Sequence, residues 1–384
     1  MPQNIIIPRL TFINEKNEIY ENIIDVIKEL IKLNHKIIFV SHNSNYRNEL
    51  IDYLQSNLDT KNSTMVICRK SVKELIKENH NQSFIIVGSS DEDLHLAASN
   101  KILLINPGWS EKQDEKPQKY AVTLFNPYSL LIAIKLIENQ NTWYFQMQVD
   151  EKTSILALTS ANTLNYHVGK SEKEVLEGFN DSLKSGDRKW FNTLFFHLIS
   201  GVMKDQILRE TDIWGVFPTS SGVINEEVEE LKERCRYLTG KRMKEPLFIR
   251  HTSVKPSRET NHHKRLEDGC KKHFDSIVLN PYYKNRIKDK TICIIDDYIT
   301  NGTSFETVRN LLISAGANKI ILLALGRYRK GTYGVYQKED YDIKMDVTRP
   351  GYQYVLKEKN NITGAYNERA RNEVENIYNI LYND

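Results

Sequence analysis

Residues 291–304, TICIIDDYITNGTS, decide how the second half of this chain is interpreted. An apolar strand is predicted over 291–295, and two adjacent carboxylates, Asp296 and Asp297, follow it directly. A short polar loop comes next, and a helix with a regular apolar face begins after the loop. A turn of this strand–loop–helix type aims backbone N–H groups and the positive end of the helix dipole at one point. That arrangement favours a bound phosphate group.

The loop itself has the composition of an anion site. Its members supply hydrogen-bond donors or allow close backbone approach, and they are Thr300, Asn301, Gly302, Thr303 and Ser304. The two acids would repel a phosphate, but they can accept hydrogen bonds from sugar hydroxyls. One interpretation is therefore a ribose 5-phosphate site. The other is structural, because Thr303 and Glu306 have the spacing of a capping box that would satisfy the helix start without a ligand.

Length and composition restrict the class of protein. The chain has 384 residues, which predicts two or three domains. Its 53 Lys and Arg residues against 50 Asp and Glu give a net charge of +3, too small for a global field that would hold nucleic acid or a membrane. No apolar run approaches the length of a membrane span. The four cysteines form no C-x-x-C pair, which favours the reduced cytoplasm over a zinc ribbon or a disulfide framework.

Short apolar strands alternate with amphipathic helices throughout, which predicts an α/β protein with two doubly wound domains, 1–140 and 141–384. In the first domain, strands are predicted at 5–7, 37–40, 64–68, 84–87 and 102–105, with a helix in each interval. In the second domain, helices are predicted at 173–183, 190–207 and 225–239, and strands at 213–217, 247–250, 291–295 and 320–325. A C-terminal helical extension, 366–381, is expected to dock on the second domain.

The string that ends at Ser304 resembles the phosphoribosyl-diphosphate (PRPP) binding motif of type I phosphoribosyltransferases. The motif reads apolar strand, two acids, two residues, Thr, a small residue, Gly, any residue, and Thr or Ser. Only Asn301 departs from it, where Thr or Ala is usual. IWGVFPTSSG at 213–222 and SAGANKIILLALGR at 314–327 extend the likeness over residues 180–330, in the order of the ComF-like orphan branch. The chain departs from that branch in two ways: it lacks the zinc ribbon that commonly precedes the domain, and its segment after the second strand is shorter.

This resemblance implies transfer of ribose 5-phosphate from PRPP to a nitrogen acceptor, such as a nucleobase, with release of diphosphate. Asp296 and Asp297 would be the catalytic residues and would hold the ribose hydroxyls. The 5-phosphate would lie in the loop from Thr300 to Ser304. Mg²⁺ would arrive on the diphosphate of PRPP, and the protein would bind no metal directly. The partners of the site are then PRPP and a small-molecule acceptor that the sequence does not identify.

Two further segments would hold the diphosphate in such an enzyme. The first follows a predicted strand and could present backbone N–H groups; its residues are Thr219, Ser220, Ser221 and Gly222. The second, at 251–265, corresponds to a mobile flap, and its cations are Lys255, Arg258, Lys264 and Arg265. The structural alternatives are a simple turn for the first segment and a solvated basic loop for the second.

The first domain resembles a capless haloacid dehalogenase (HAD)-like core over residues 1–110. The family places a phosphoryl-binding Ser or Thr at Ser41, a phosphate-binding Lys near Lys70, and an acidic metal loop at Asp91 and Asp93. Its first strand should end in D-x-D-x-T, but Pro8 and Leu10 stand where the two aspartates belong, which leaves Thr11. A phosphoaspartyl mechanism needs both carboxylates. The site is therefore predicted to be degenerate and inactive, with both acids explained by the helix dipole.

Two functions from different classes stay open. One is a PRPP-dependent transferase. The other is a non-catalytic regulator that senses PRPP or a nucleotide, with the first domain serving as a scaffold, ligand sensor or partner-binding module. Fusions of this kind resemble proteins of bacterial stress-response or phage-defence operons. In either case the expected protein partner is a second copy or an operon-encoded protein, and neither a membrane nor nucleic acid is expected.

Overall fold

The computed structural model describes residues 2–57, 63–163, 168–255, 266–329 and 335–382. Its backbone packing divides the chain into two compact units. The first unit comprises 1–140, 237–240 and the chain from Asn376 onward, and the second comprises 141–236 and 241–375. The boundary between the units falls inside the predicted C-terminal helical extension, 366–381, between Glu375 and Asn376. Among the described residues, no helix is both long and apolar enough to span a bilayer.

The first unit is a parallel six-stranded sheet with the order β3-β2-β1-β4-β5-β6. Its strands are β1 Gln3–Pro8, β2 Lys36–Val40, β3 Thr64–Ile67, β4 Ser83–Val87, β5 Leu103–Pro107 and β6 Val122–Leu124. Its helices are α1 Arg9–Phe12, α2 Ile23–Lys32, α3 Ser44–Asn57, α4 Arg69–Glu78, α5 Asp91–Asn100, α6 Glu115–Tyr120 and α7 Pro127–Asn139. The five predicted strands are confirmed, and β6 is an addition that the sequence does not predict.

Local sequence explains why these elements form. All six residues of β1 are buried, as expected for a central parallel strand that is covered on both faces. Helix α2 buries Ile23, Val26, Ile27 and Leu30, which recur at helical spacing. Helix α7 starts at a strong signal, because Asn126 accepts a hydrogen bond from the N–H of Ser129 and a proline occupies the first turn.

The second unit is built on a mixed six-stranded sheet with the order β16-β7-β8-β13-β12-β9. Its strands are β7 Phe145–Gln148, β8 Thr153–Ser160, β9 Ile213–Val216, β12 Thr291–Ile299, β13 Lys319–Arg327 and β16 Ala365–Tyr366. The four strands β8, β13, β12 and β9 are mutually parallel, and β7 and β16 are antiparallel additions at one edge. Strands β7 and β8 are absent from the sequence-based prediction.

The remaining elements of the second unit are helices and two small antiparallel sheets. The small sheets pair β10 Phe248–Arg250 with β11 Ile277–Leu279, and β14 Tyr336–Lys344 with β15 Gln353–Ile362. The helices are α8 Lys170–Ser185, α9 Phe191–Lys204, α10 Gln206–Arg209, α11 Glu226–Leu238, α12 Lys271–Phe274, α13 Thr303–Ser314 and α14 Asn372–Tyr382. The β14–β15 hairpin is a second feature that the sequence does not predict.

Strand β12 is longer than the sequence predicts. The predicted end at residue 295 is wrong, because β12 continues to pair with β13 as far as Ile299, opposite Arg327. Asp296 and Asp297 therefore lie within the strand. Successive side chains of a strand point to opposite faces of its sheet. The two carboxylates consequently do not share one face.

A buried polar network joins α13 to β14. Arg309 is 2% exposed, and its guanidinium contacts the carboxylates of Glu306 at 2.6 Å, Asp340 at 2.6 Å and Asp150 at 2.9 Å. The Glu306 carboxylate also accepts hydrogen bonds from the hydroxyl of Tyr336 at 2.6 Å and from the N–H of Glu339 at 2.9 Å. Burial raises the pKa of Glu306, and pairing with Arg309 opposes that rise. Helix α13 is thus fixed on the hairpin by charge-assisted hydrogen bonds.

We predict that Arg309→Met destabilises the protein strongly. The variant would leave the Glu306 carboxylate buried without its cation, which costs roughly 3–5 kcal/mol in comparable buried pairs. Chemical denaturation followed by circular dichroism measures the loss. Lys173→Met is the control, because Lys173 belongs to an exposed pair with Glu177 on α8 and should change stability by less than about 1 kcal/mol. A loss in Arg309→Met no larger than in the control would contradict the role given to the network.

Candidate functional site

The carboxyl ends of the parallel strands in the second unit meet at one edge of the sheet. Hydrogen bonds join the segments that follow these strands. The N–H of Ala161 donates to the carbonyl of Arg327 at 3.0 Å, and the N–H of Tyr328 donates to the carbonyl of Ile299 at 2.9 Å. The amide oxygen of Asn162 accepts from the N–H of Arg329 at 2.7 Å. The edge is therefore a connected surface on which β8, β12 and β13 each present polar groups.

The loop after β12 is shaped by Gly302. This residue is left-handed, with φ at 90°, and it forms the N-terminal boundary of α13. A side chain at this position would collide with the buried ring of Tyr336. Both the backbone angle and the close approach therefore require glycine. The predicted phosphate loop adopts the tight turn that its sequence suggests.

The capping box predicted for Thr303 and Glu306 is wrong. No side chain caps the start of α13, because the Glu306 side chain turns inward to Arg309 and Tyr336. The first turn of a helix carries N–H groups without intrahelical partners and the positive end of the dipole. In this helix Thr303 and Ser304 line a cavity of about 100 Å³ at that position, together with Asp296 and Thr300. A capping box therefore does not account for the loop.

The two strand-end acids have different surroundings. Asp297 forms an ion pair with Lys184 of α8, whereas Asp296 lines the loop cavity. The carboxylate of Asp296 accepts a hydrogen bond from the N–H of Asp297 at 2.9 Å. Burial raises the pKa of Asp296 to about 7, and the ammonium of Lys184 opposes the rise. Asp296 thus changes its charge near neutral pH and faces the space that a ligand would occupy.

Arg327 is a residue of this edge that the sequence analysis did not single out. It lies at the end of β13 and is fully buried. Its guanidinium donates to the carbonyl of Thr300 and stacks 4.8 Å from the ring centre of Phe145. It places a positive charge directly behind the loop and fixes the loop's first residue. The only sequence signal is its position at the end of an apolar strand.

The loop after β9, predicted to hold diphosphate, is largely bonded to itself and to β10. The N–H of Gly222 donates to the carbonyl of Thr219 at 3.1 Å, and the N–H of Val223 donates to the hydroxyl of Ser221 at 3.4 Å. The carbonyl of Ser220 accepts from Val254 at 2.8 Å. These bonds occupy the N–H groups of Gly222 and Val223, which a diphosphate bound here would need.

Arg250 braces this loop and was missed by sequence reasoning. Its guanidinium donates to the carbonyl of Thr219 at 2.6 Å and to the hydroxyl of Ser276 at 2.6 Å. Burial lowers its pKa to about 10. A cavity of about 210 Å³ opens beside it, and Thr219 and Gly222 form part of the lining. Of the predicted flap cations, Lys255 is exposed at the end of the described segment, and Arg258, Lys264 and Arg265 lie outside the described residues.

The first unit has its own cleft, of about 450 Å³, at the carboxyl ends of β1, β2 and β4. In the order β3-β2-β1-β4-β5-β6 this is where the strand order reverses, the usual ligand position of open α/β sheets. Ser41 and the acids Asp91 and Asp93 line it, as the HAD-like resemblance predicts. Lys70 is exposed and does not line the cleft, whereas its neighbour Arg69 does.

The lining of this cleft does not fit a catalytic Mg²⁺. Asp93 is 2% exposed and is occupied by Arg69 at 2.6 Å and by Ser90, with which it forms a capping box. Asp91 pairs with Lys116 at 2.8 Å. Within the described ranges, no group of three or more His, Cys, Asp and Glu residues is placed to hold a metal. Asp93 therefore serves the start of its own helix, as predicted. Thr11 is buried, and its hydroxyl donates to the carbonyl of Val87 instead of facing the cleft.

Comparisons with known proteins add no identification. No protein-family model matches the chain, and no curated protein is significantly similar to it.

We predict that Asp296→Asn stabilises the ligand-free protein at alkaline pH. An unfolded Asp ionises near pH 4 and the native Asp296 near pH 7, so the unfolded chain loses its proton first as the pH rises. The free energy of unfolding of the wild type therefore falls across that window, and above it the native state carries a poorly solvated, half-buried charge. The neutral variant avoids this cost, and we expect its Tm at pH 8 to rise by about 2 °C or more.

The gain should shrink as the pH is lowered towards 4, since the wild-type carboxyl is then protonated in the native state. Differential scanning calorimetry between pH 4 and 8 measures it. Asp297→Asn is the matched control, because that variant loses an ion pair with Lys184 and should gain no stability. A gain for Asp296→Asn that is equal at pH 5 and pH 8, or no gain at all, would refute the assignment of the raised pKa.

Proposed function

We propose that the second unit binds PRPP, with its 5-phosphate at the start of α13 and its ribose hydroxyls on Asp296. The single observation that carries this proposal is the uncapped helix start, which faces the same cavity as a carboxylate. Phosphate donors and a diol acceptor that line one cavity match the two polar ends of a ribose 5-phosphate. The resemblance of residues 291–304 to the PRPP motif supports the same assignment.

Charge favours a phosphate at this position. The helix dipole, the loop N–H groups and the buried guanidinium of Arg327 all place positive potential at the loop. The hydroxyls of Thr303 and Ser304, which line the cavity, would add donors to a phosphate oxygen. Asp296 lies at the strand side of the cavity, where a ribose attached to that phosphate would extend.

The reaction we propose is displacement at C1 of PRPP. A nitrogen atom of the acceptor forms a bond to C1, the bond from C1 to the diphosphate oxygen breaks, and diphosphate leaves with its Mg²⁺. The ribose becomes cation-like in the transition state, so the protein contributes by orienting the ring and stabilising the leaving group. In this scheme the Asp296 carboxylate orients the ribose through its hydroxyls. The acceptor is proposed only as a nucleobase-like nitrogen compound.

A second candidate function is a sensor that binds PRPP without turnover. One observation favours it: the loop after β9 satisfies its own N–H groups at Gly222 and Val223, so the diphosphate has fewer ready donors than the 5-phosphate. Such a protein would use the first unit, whose cleft lacks both the nucleophilic and the acid/base aspartate, as a scaffold or partner-binding module. A role in a bacterial stress-response or phage-defence system belongs to this alternative.

We predict that Thr303→Ala with Ser304→Ala folds normally but binds PRPP at least about tenfold more weakly. Each hydroxyl would donate to a charged phosphate oxygen, and such bonds contribute roughly 1.5–3 kcal/mol. This pair is a cleaner test than Gly302→Val, because a side chain at Gly302 would also collide with Tyr336. Ser314→Ala, at the exposed far end of the same helix, is the control.

Isothermal titration with PRPP and Mg²⁺ measures the affinity, and thermal melts without ligand check the fold. Equal affinity in the loop variant and in the Ser314→Ala control would contradict the placement of the 5-phosphate. No binding by the wild type would contradict the proposed function as a whole.

We expect the wild type to release diphosphate from PRPP in the presence of a suitable nitrogen acceptor. A coupled diphosphate assay over a panel of purine, pyrimidine and other heterocyclic bases measures this release. Release that depends on both the base and an intact loop would support the transferase. Tight PRPP binding with no release over the whole panel would favour the sensor instead.

A further inference from the structure

Lys184 lies at the candidate site, although it belongs to no motif of the sequence. It occupies the last turn of α8, which ends at Gly186 in a left-handed conformation with φ at 74°. The N–H of Gly186 donates to the carbonyl of Ser182 at 3.2 Å and terminates the helix. This ending directs the Lys184 ammonium to the carboxylate of Asp297 and to within 5.6 Å of the ring centre of Tyr298.

We infer that Lys184 is a positioning residue of the site: by pairing with Asp297 it holds the strand-end acids in the arrangement in which Asp296 is left to bind the ribose diol. The inference rests on the proposed function and extends it to a residue of another element. Asp296 and Asp297 are adjacent in the chain, and a cation near a carboxyl group favours its ionised form. Lys184 supplies that cation from α8, across the face of β12.

The charged and titratable groups around Asp296 support this role. Strand β12 contributes Asp297 and Tyr298, and helix α8 contributes Lys184. Asp181 of α8 and Tyr328 after β13 act on Tyr298, and the rings of Tyr298 and Tyr328 lie 5.5 Å apart. Among these groups, as the structure describes them, Lys184 carries the positive charge, and it lowers the pKa of Asp296 against the effect of burial.

A functional consequence follows from the chemistry of the diol. An ionised carboxylate binds hydroxyls about twice as strongly as a neutral acceptor. If Asp296 is ionised, it can accept strong hydrogen bonds from the ribose hydroxyls. If it is protonated, these hydrogen bonds are weaker. Lys184 favours the ionised form of Asp296. It therefore lowers the pH above which PRPP is bound tightly.

The test uses the full chain with four variants. Lys184→Met removes the charge, Lys184→Arg retains it, and Lys173→Met removes a charge from the exposed side of the same helix. Asp296→Asn identifies the Asp296 signal in spectra of protein that carries ¹³C in its Asp carboxyl groups. The pKa of Asp296 is then followed directly by its carboxyl chemical shift, without ligand, and PRPP affinity with Mg²⁺ is measured in parallel between pH 5.5 and 9.

We expect Lys184→Met to raise the pKa of Asp296 by at least about one, as loss of a neighbouring opposite charge does. The pH midpoint of PRPP affinity should rise equally, so that binding at pH 7 weakens about fivefold, as the ionised fraction falls. Lys184→Arg should restore both, and Lys173→Met should change neither. These results together would establish the positioning role.

Three outcomes would overturn the inference. One is an unchanged pKa of Asp296 in Lys184→Met. Another is a loss of affinity that is equal at every pH, since this would indicate a direct contact with PRPP or a structural role. The third is a shifted pKa with no binding of PRPP by the wild type at any pH. That last result would show that the proposed function itself is wrong, and it is distinguishable because the carboxyl titration needs no ligand.

Discussion

The inward turn of the Glu306 side chain is the constraint on which the candidate site depends. Its carboxylate is held by Arg309, by the hydroxyl of Tyr336 and by the N–H of Glu339, so it is withheld from the start of its own helix. The same Tyr336 ring packs on Gly302 and fixes the turn that precedes α13. One buried network therefore shapes the loop and also leaves the helix start available to an anion.

A second constraint is the cost of burying the Asp296 carboxylate. A site for a phosphate and a sugar needs positive and negative groups within one small cavity, and burial penalises the negative ones. The protein resolves this with two cations of different burial. Arg327 is fully enclosed behind the loop, and Lys184 reaches the acids from a partly exposed position. In the proposed site, stability and binding oppose each other at Asp296, because the ionised form that suits a diol is the form that burial disfavours.

Much of this arrangement could be predicted from the sequence, and the exceptions have physical reasons. The apolar runs that became β1 and β12 are buried on both faces, so hydrophobicity alone located them. Strand β14 was missed because it buries Gln337 and Glu339, residues that normally indicate a surface. The capping box does not form because the Glu306 carboxylate pairs with Arg309 instead. Tertiary packing creates this competing contact, and the spacing of residues along the chain does not reveal it. Lys184 was likewise invisible, since it lies far from the acids in sequence.

The central claim is that the 5-phosphate of PRPP lies at the start of α13, and a crystal structure with bound PRPP and Mg²⁺ tests it most directly. We expect the phosphate to lie within hydrogen-bonding distance, about 2.7–3.2 Å, of the backbone N–H groups and hydroxyls of Thr303 and Ser304. The ribose hydroxyls should be directed at Asp296. A PRPP molecule whose phosphate lies elsewhere, or whose ribose makes no contact with Asp296, would contradict it.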